Sequence, residues 1–220
     1  MFGQHFYNSH TRKLISVFGT IFNEIYVRRL DSVGRVLEQN KVPLAYGPKK
    51  KFLARIQEED DLTDTKVAIK LPRMSFEITS ITYDSNSKLN KQNLRSIGSV
   101  SDPDSRDSKN TFAPYTIAID LNVMVKNQDD GLQIVEQILP YFQPDYSVTI
   151  IEDPDLNIRN DVPIVLTGIN LAEEYEGDFM TRNSIVYTLS FETKVRFYGP
   201  KNNKKIIRTV QTNLNDISTL

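Results

Sequence analysis

From Tyr115 to Lys126 apolar and polar residues alternate without a break. Tyr115, Ile117, Ile119, Leu121, Val123 and Val125 share one parity, and Thr116, Ala118, Asp120, Asn122, Met124 and Lys126 the other. Successive side chains of a strand point to opposite faces, so this period predicts one long strand with an apolar face and a semi-polar face. Such a strand cannot stand by itself. It demands partner strands beside it and a packed layer over its apolar side.

A candidate for that layer follows at once, in the run QDDGLQIVEQILPYFQPDY from Gln128 to Tyr146. Asp129 and Asp130 supply capping oxygens and negative charge at the positive end of a predicted helix, and Pro140 and Pro144 close it. Leu132, Val135, Leu139 and Phe142 fall on one face, with Ile134, Ile138 and Tyr141 beside it. So wide an apolar face is expected to be core, not a cofactor box or binding site.

The rest of the chain reads in the same way. Asn8 or Ser9 caps a short helix through about Phe18, stopped by Gly19. Ile21 to Leu30 and a second run reaching Ala45 form a hairpin around the turn Asp31 to Gly34. Pro48 opens another short helix with Phe52, Leu53 and Ile56 as its buried stripe. In the next strand Met74, Phe76 and Ile78 share one parity and Ile81 and Tyr83 the other, which predicts a bulge near Thr79 or Ser80. Strands are also expected over Tyr146 to Ile151, Val162 to Leu171 and Ser184 to Tyr198, with Lys204 to Gln211 returning as a short edge strand.

The segment of about 85–110 is mostly Ser, Asn, Asp, Lys and Arg. It is too polar to build a core. It is expected to be a long polar loop, or an arm that orders against a neighbour through Leu89, Leu94 and Ile97. The fold class is therefore α+β: residues 1–220 as a single domain, a mainly antiparallel sheet with one principal helix and two short ones on one face.

Composition narrows the function classes. Hydrophobic residues make up 39% and charged residues 25%, ordinary values for a globular chain. The formal net charge of −1 argues against a surface devoted to nucleic acid or an anionic membrane. With no cysteine, disulfides and thiolate metal sites are excluded, and a reducing compartment fits best. Neither a secretory leader nor a membrane-spanning run is seen, so a soluble protein without membrane contact is expected.

Catalytic equipment is also missing from the sequence. His5 and His10 do not have the spacing that places two ligands on one helix face, and the glycines form no phosphate-cradling loop. Asp153, Asp155 and Asn157 begin a calcium-loop spacing. That spacing fails at Ile158, where a glycine is needed, and at Ile164, where a bidentate glutamate is needed. Neither enzyme activity, cofactor nor metal is expected.

One charge pattern is unusual. The helix opened by Pro48 carries Lys49, Lys50 and Lys51 at its start and Glu58, Glu59, Asp60 and Asp61 at its end, opposing the helix macrodipole. Something outside the helix must hold it. The two charged ends either face water or meet complementary ends on neighbouring copies or a partner.

Five blocks carry a family resemblance: MFGQHFYNS (Met1 to Ser9), LPRMSFEI (Leu71 to Ile78), NQDDGLQIVEQILPYFQP (Asn127 to Pro144), SIVYTLSFE (Ser184 to Glu192) and IIRT (Ile206 to Thr209). In this order and spacing they resemble the tail sheath stabiliser and completion proteins of large contractile-tailed bacteriophages. The resemblance implies a structural virion protein that forms a homohexameric ring at the head-proximal end of the tail. Such a ring contacts the tail terminator, the sheath and the neck proteins, after assembly in the host cytoplasm. Longer members of the family continue past the IIRT block with a polar tail, and contacts made by such a tail are not expected of this sequence. On this reading Phe2, Phe6 and Tyr7 are expected as anchors, and Lys49 to Lys51 with Glu58 to Asp61 as contacts between chains. The alternative is a non-catalytic protein-binding module of the same fold without a tail role.

Overall fold

The computed structural model describes residues 5–31, 33–57, 71–90, 92–98, 102, 104–153, 158–174 and 184–212. Their order is α1 (His10–Ile21), β1 (Tyr26–Leu30), β2 (Val36–Lys41), β3 (Leu44–Tyr46), α2 (Lys49–Gln57), β4 (Arg73–Tyr83), β5 (Leu94–Gly98), β6 (Ser105–Asn110), β7 (Ala113–Val125), α3 (Gln128–Ile138), β8 (Asp145–Asp153), β9 (Ile158–Glu174), β10 (Ser184–Phe197) and β11 (Asn202–Lys205). The fold is α+β. A six-stranded sheet in the order β3-β4-β7-β10-β9-β8 is accompanied by a two-stranded hairpin, β1-β2, and a three-stranded sheet, β11-β6-β5. In the large sheet β3 runs parallel to β4 and every other pair is antiparallel.

The alternating strand is the centre of that sheet. Leu121 of β7 lies between Phe76 of β4 and Leu189 of β10, and Val123 between Met74 and Tyr187. Ile117, Ile119, Leu121, Val123 and Val125 are all at most 1% exposed, which is what a central strand with a covered apolar face requires. The expected bulge is present, since the β4–β7 register slips between Ile78 and Ser80.

Two helices cover this face, and their contact is aromatic. Phe18 and Phe22 of the α1 segment, Phe142 after α3 and Phe191 of β10 form a cluster with ring centroids 4.8–6.0 Å apart. Rings at these separations add to their area burial by about 0.5–1.5 kcal/mol per pair.

The helix readings need four corrections. Gly19 does not stop α1, which runs on to Ile21. A Cβ at position 19 would sit 3.3 Å from the Phe76 ring, so this glycine brings the helix close to β4. In α3 the buried stripe is Gly131, Ile134, Val135 and Ile138, continued by Phe142, whereas Leu132 and Leu139 are 42% and 40% exposed. The reason is Gly131: a Cβ there would come within van der Waals collision of Tyr187, so the helix rolls its bare backbone onto that ring. The capping residue of α3 is Asn127, with Asp129 and Asp130 inside the first turn. Finally, α2 lies on the other face of the sheet from α1 and α3, where Phe52 packs with Met124 and Val186.

The polar segment of about 85–110 also differs from expectation. It contains β5 and β6, paired as an antiparallel hairpin, and β11 pairs with β6 further along. Polar contacts hold this small sheet. Lys201 Nζ lies 2.9 Å from Asp107 Oδ2, Asn203 donates to Asp107 Oδ1 at 2.8 Å, and Ser108 donates its hydroxyl to the Asn202 carbonyl at 3.2 Å. Such partners, almost a hundred residues apart in the chain, leave no periodic trace in either strand.

Candidate assembly interface

The residues predicted to make contacts fall in different parts of the molecule. Phe2 and the acidic group Glu58, Glu59, Asp60 and Asp61 lie outside the described residues. Phe6 and Tyr7 are 50% and 67% exposed, on extended chain just before α1. That chain is tied down where the Asn8 amide donates to the Tyr198 carbonyl at 3.1 Å. Lys50 and Lys51 are exposed and Lys49 is half-buried at the start of α2. Since α1 and α2 cover opposite faces of the large sheet, Phe6 and Tyr7 do not form one site with the lysines.

The lysine-led helix has an identifiable anchor. The backbone N–H of Lys49 donates to Glu77 Oε1 at 3.3 Å, so a carboxylate from β4 occupies the helix N-terminus that the sequence of α2 leaves to cations. Phe52 is buried beneath the Arg73 guanidinium, whose carbon lies 5.3 Å from the ring centroid. These two contacts from β4 offset the reversed charge order and leave the lysines facing outwards.

Other exposed features were not singled out from sequence. The β1-β2 hairpin stands apart from both other sheets and every residue of β2 is exposed. It is fastened along α3: Gln137 exchanges hydrogen bonds with the backbone N–H and C=O of Tyr26, Gln133 accepts from Arg28 N–H, and Arg29 lies 3.8 Å from Asp130. Near its turn Leu30, Val33, Val36 and Leu37 are 53–73% exposed. The signal in the sequence is Val36 beside Leu37, aliphatic side chains on both parities next to a turn, a pattern that serves no single core. At the far end of α3 an open cleft of about 580 Å³ is lined by residues that include Phe22, Glu24, Glu136, Pro140, Tyr141 and Tyr146.

No group of His, Cys, Asp and Glu able to hold a metal is present among the described residues. Nor is any described helix long and apolar enough to cross a membrane. His10 is buried against Phe197, ring centroids 5.8 Å apart, as a packing residue at the start of α1.

Residues 5–220 match the family model of the T4-like virus Myoviridae tail sheath stabiliser. The chain is also 32% identical over 222 residues to tail completion protein gp15 of Enterobacteria phage T4, covering 96% of this chain and 79% of that one. The chain belongs to the tail sheath stabiliser family. Membership makes it a structural protein of the phage tail and hence of the virion.

Proposed function

We propose that this sheath stabiliser forms a homohexameric ring at the head-proximal end of a contractile tail. There it contacts the tail terminator and the last sheath ring, holds the sheath extended, completes the tail and offers a surface to the neck proteins. It acts by templating and bracing, with no catalytic step and no cofactor. The observation that carries the reading is the match to the stabiliser family over nearly the whole chain, together with identity to a completion protein.

The architecture supports it. A closed ring needs two different, mutually complementary surfaces on each subunit. The projecting hairpin, the open outer edge of β8, the cationic start of α2 and the exposed Phe6 and Tyr7 provide unlike surfaces in separate places. Lys49 to Lys51, with Glu58 to Asp61, are retained in this reading as contacts between chains, and Phe2, Phe6 and Tyr7 as anchors.

Tail assembly with and without the protein tests the role. With it, electron microscopy is expected to show extended sheaths that go on to join heads. Tails equally persistent and equally able to join heads in its absence would refute the proposal.

A further inference from the structure

We infer that the tip of the β1-β2 hairpin of one subunit docks into the cleft at the C-terminal end of α3 in the next copy of this chain. The inference rests on the ring proposed above and names one contact that builds it.

Three observations carry it. The first is chemical: Leu30, Val33, Val36 and Leu37, 53–73% exposed, crowd a projecting turn where polar residues are the rule. The cleft offers Tyr141 and Tyr146, 68% and 38% exposed, with Pro140 beside them. Aromatic side chains facing aliphatic ones in a concave site are the usual composition of an interface centre.

The second is charge. Among the described residues, the cleft lining includes the carboxylates of Glu24 and Glu136 and neither lysine nor arginine. At the tip Arg35 is exposed with Asp31 beside it, whereas Lys41 lies at the base of the hairpin and Arg29 is taken up by Glu38 and Asp130. The Arg35 guanidinium of the tip can thus meet Glu24 or Glu136 of the cleft, which orients the encounter.

The third is placement. Tyr26 pairs with Gln137, Arg28 with Gln133 and Arg29 with Asp130, so β1 runs antiparallel to α3. The hairpin tip therefore lies past the start of α3 and the cleft at its end. The 11 residues of α3 hold the two about 16 Å apart at 1.5 Å per residue. A subunit cannot fill its own cleft with its own tip. The neighbour's tip can fill it, and because tip and cleft are different surfaces the contact is head-to-tail, the kind that closes into a ring.

The absence of cysteine makes a direct test possible. Val33→Cys and Tyr141→Cys are both at exposed positions. Under mild oxidation an equimolar mixture of the two single variants should give a disulfide-linked dimer, while neither variant alone does. The double variant should give a ladder of covalent multimers. In parallel, Val33→Asp should raise the concentration needed for assembly at least tenfold with unchanged circular dichroism. Rings that form normally while the mixture fails to cross-link, or Val33→Cys cross-linking to itself as readily as to Tyr141→Cys, would overturn this contact and leave the ring standing. A wild-type chain that stays monomeric at every concentration would overturn the contact and the ring together.

Discussion

The large and the small sheet share the same backbone ladder and are held by opposite chemistry. In the large one, β7 and β10 bury a mostly apolar face beneath α1 and α3, and the aromatic cluster around Phe191 locks the layers. In the small one, β6 is gripped by Asp107 bonded to Lys201 and Asn203, and by Ser108 bonded to the β11 backbone, with little apolar area involved. Burial is worth about 25 cal/mol per Å² and does not depend on pH, whereas exposed ion pairs yield about 0–1 kcal/mol and fade with salt and acid. The large sheet is thus the body of the subunit, and the small sheet a polar appendage whose order depends on conditions.

The contrast can be broken most forcefully from the large sheet. Phe191→Ala removes a ring that touches Phe18, Phe22 and Phe142 and should cost about 3–5 kcal/mol in chemical denaturation. Gly131→Ala sets a methyl against the Tyr187 ring and should cost about 1–3 kcal/mol, partly recovered when Tyr187→Val opens space beside it. A neutral result for Gly131→Ala would mean that α3 does not press on β10.

Acid separates the sheets by sign. The hydrogen bond from Lys201, and then that from Asn203, hold the Asp107 carboxyl below its usual range. Its folded pKa is lower than its unfolded one, so its contribution is present above the unfolded value of about 3.9 and is lost as pH falls through the lower folded value. Protection of the β6 and β11 amides, measured relative to the intrinsic exchange rate at each pH, should therefore fall below about pH 4 in the native chain, and Asp107→Asn should lose that dependence while leaving the global unfolding midpoint nearly unmoved.

Glu152 of β8, buried at 1% exposure, runs the other way. Burial raises its pKa, outweighing the hydrogen bond from Asn160. The carboxylate therefore weighs against the fold at neutral pH, and the penalty disappears as pH falls through its raised folded value and below its unfolded one. Glu152→Gln should slightly stabilise the chain at pH 7 and remove that part of the profile. A loss of stability at pH 7 would contradict this sign.

The smallest effect on folding is expected at α2. Lys50→Glu with Lys51→Glu changes two exposed side chains. It should leave the unfolding midpoint within about 0.5 kcal/mol of the native value while weakening ring formation. Unchanged assembly would remove these lysines from the interface.

What was legible in the sequence follows the same division. The alternation of β7, the parity switch in β4 and the aromatic and aliphatic face of β10 are apolar periodicities, and the sheet uses each of them as read. The turn of α3 about its axis was not legible from hydropathy. Gly131 has no side chain to score, yet its bare backbone is what Tyr187 packs against, and so Leu132 and Leu139 are left outside. The β5–β6 hairpin was missed because its stabilising partners come from β11, far along the chain. The anchor of α2 was missed for the same reason, since Glu77 belongs to another element. At the candidate interface, exposed charge and aromatics near the N-terminus were readable, but the hairpin tip and the α3 cleft only emerge once α3 lies antiparallel to β1.

The central claim is that unlike surfaces on this subunit close a ring. Multi-angle light scattering on the purified chain across a concentration series, with sheath and terminator proteins added in turn, measures it most directly. A species of six times the 25.3 kDa subunit mass is expected. A 25.3 kDa monomer at every concentration, indifferent to both proteins, would contradict it.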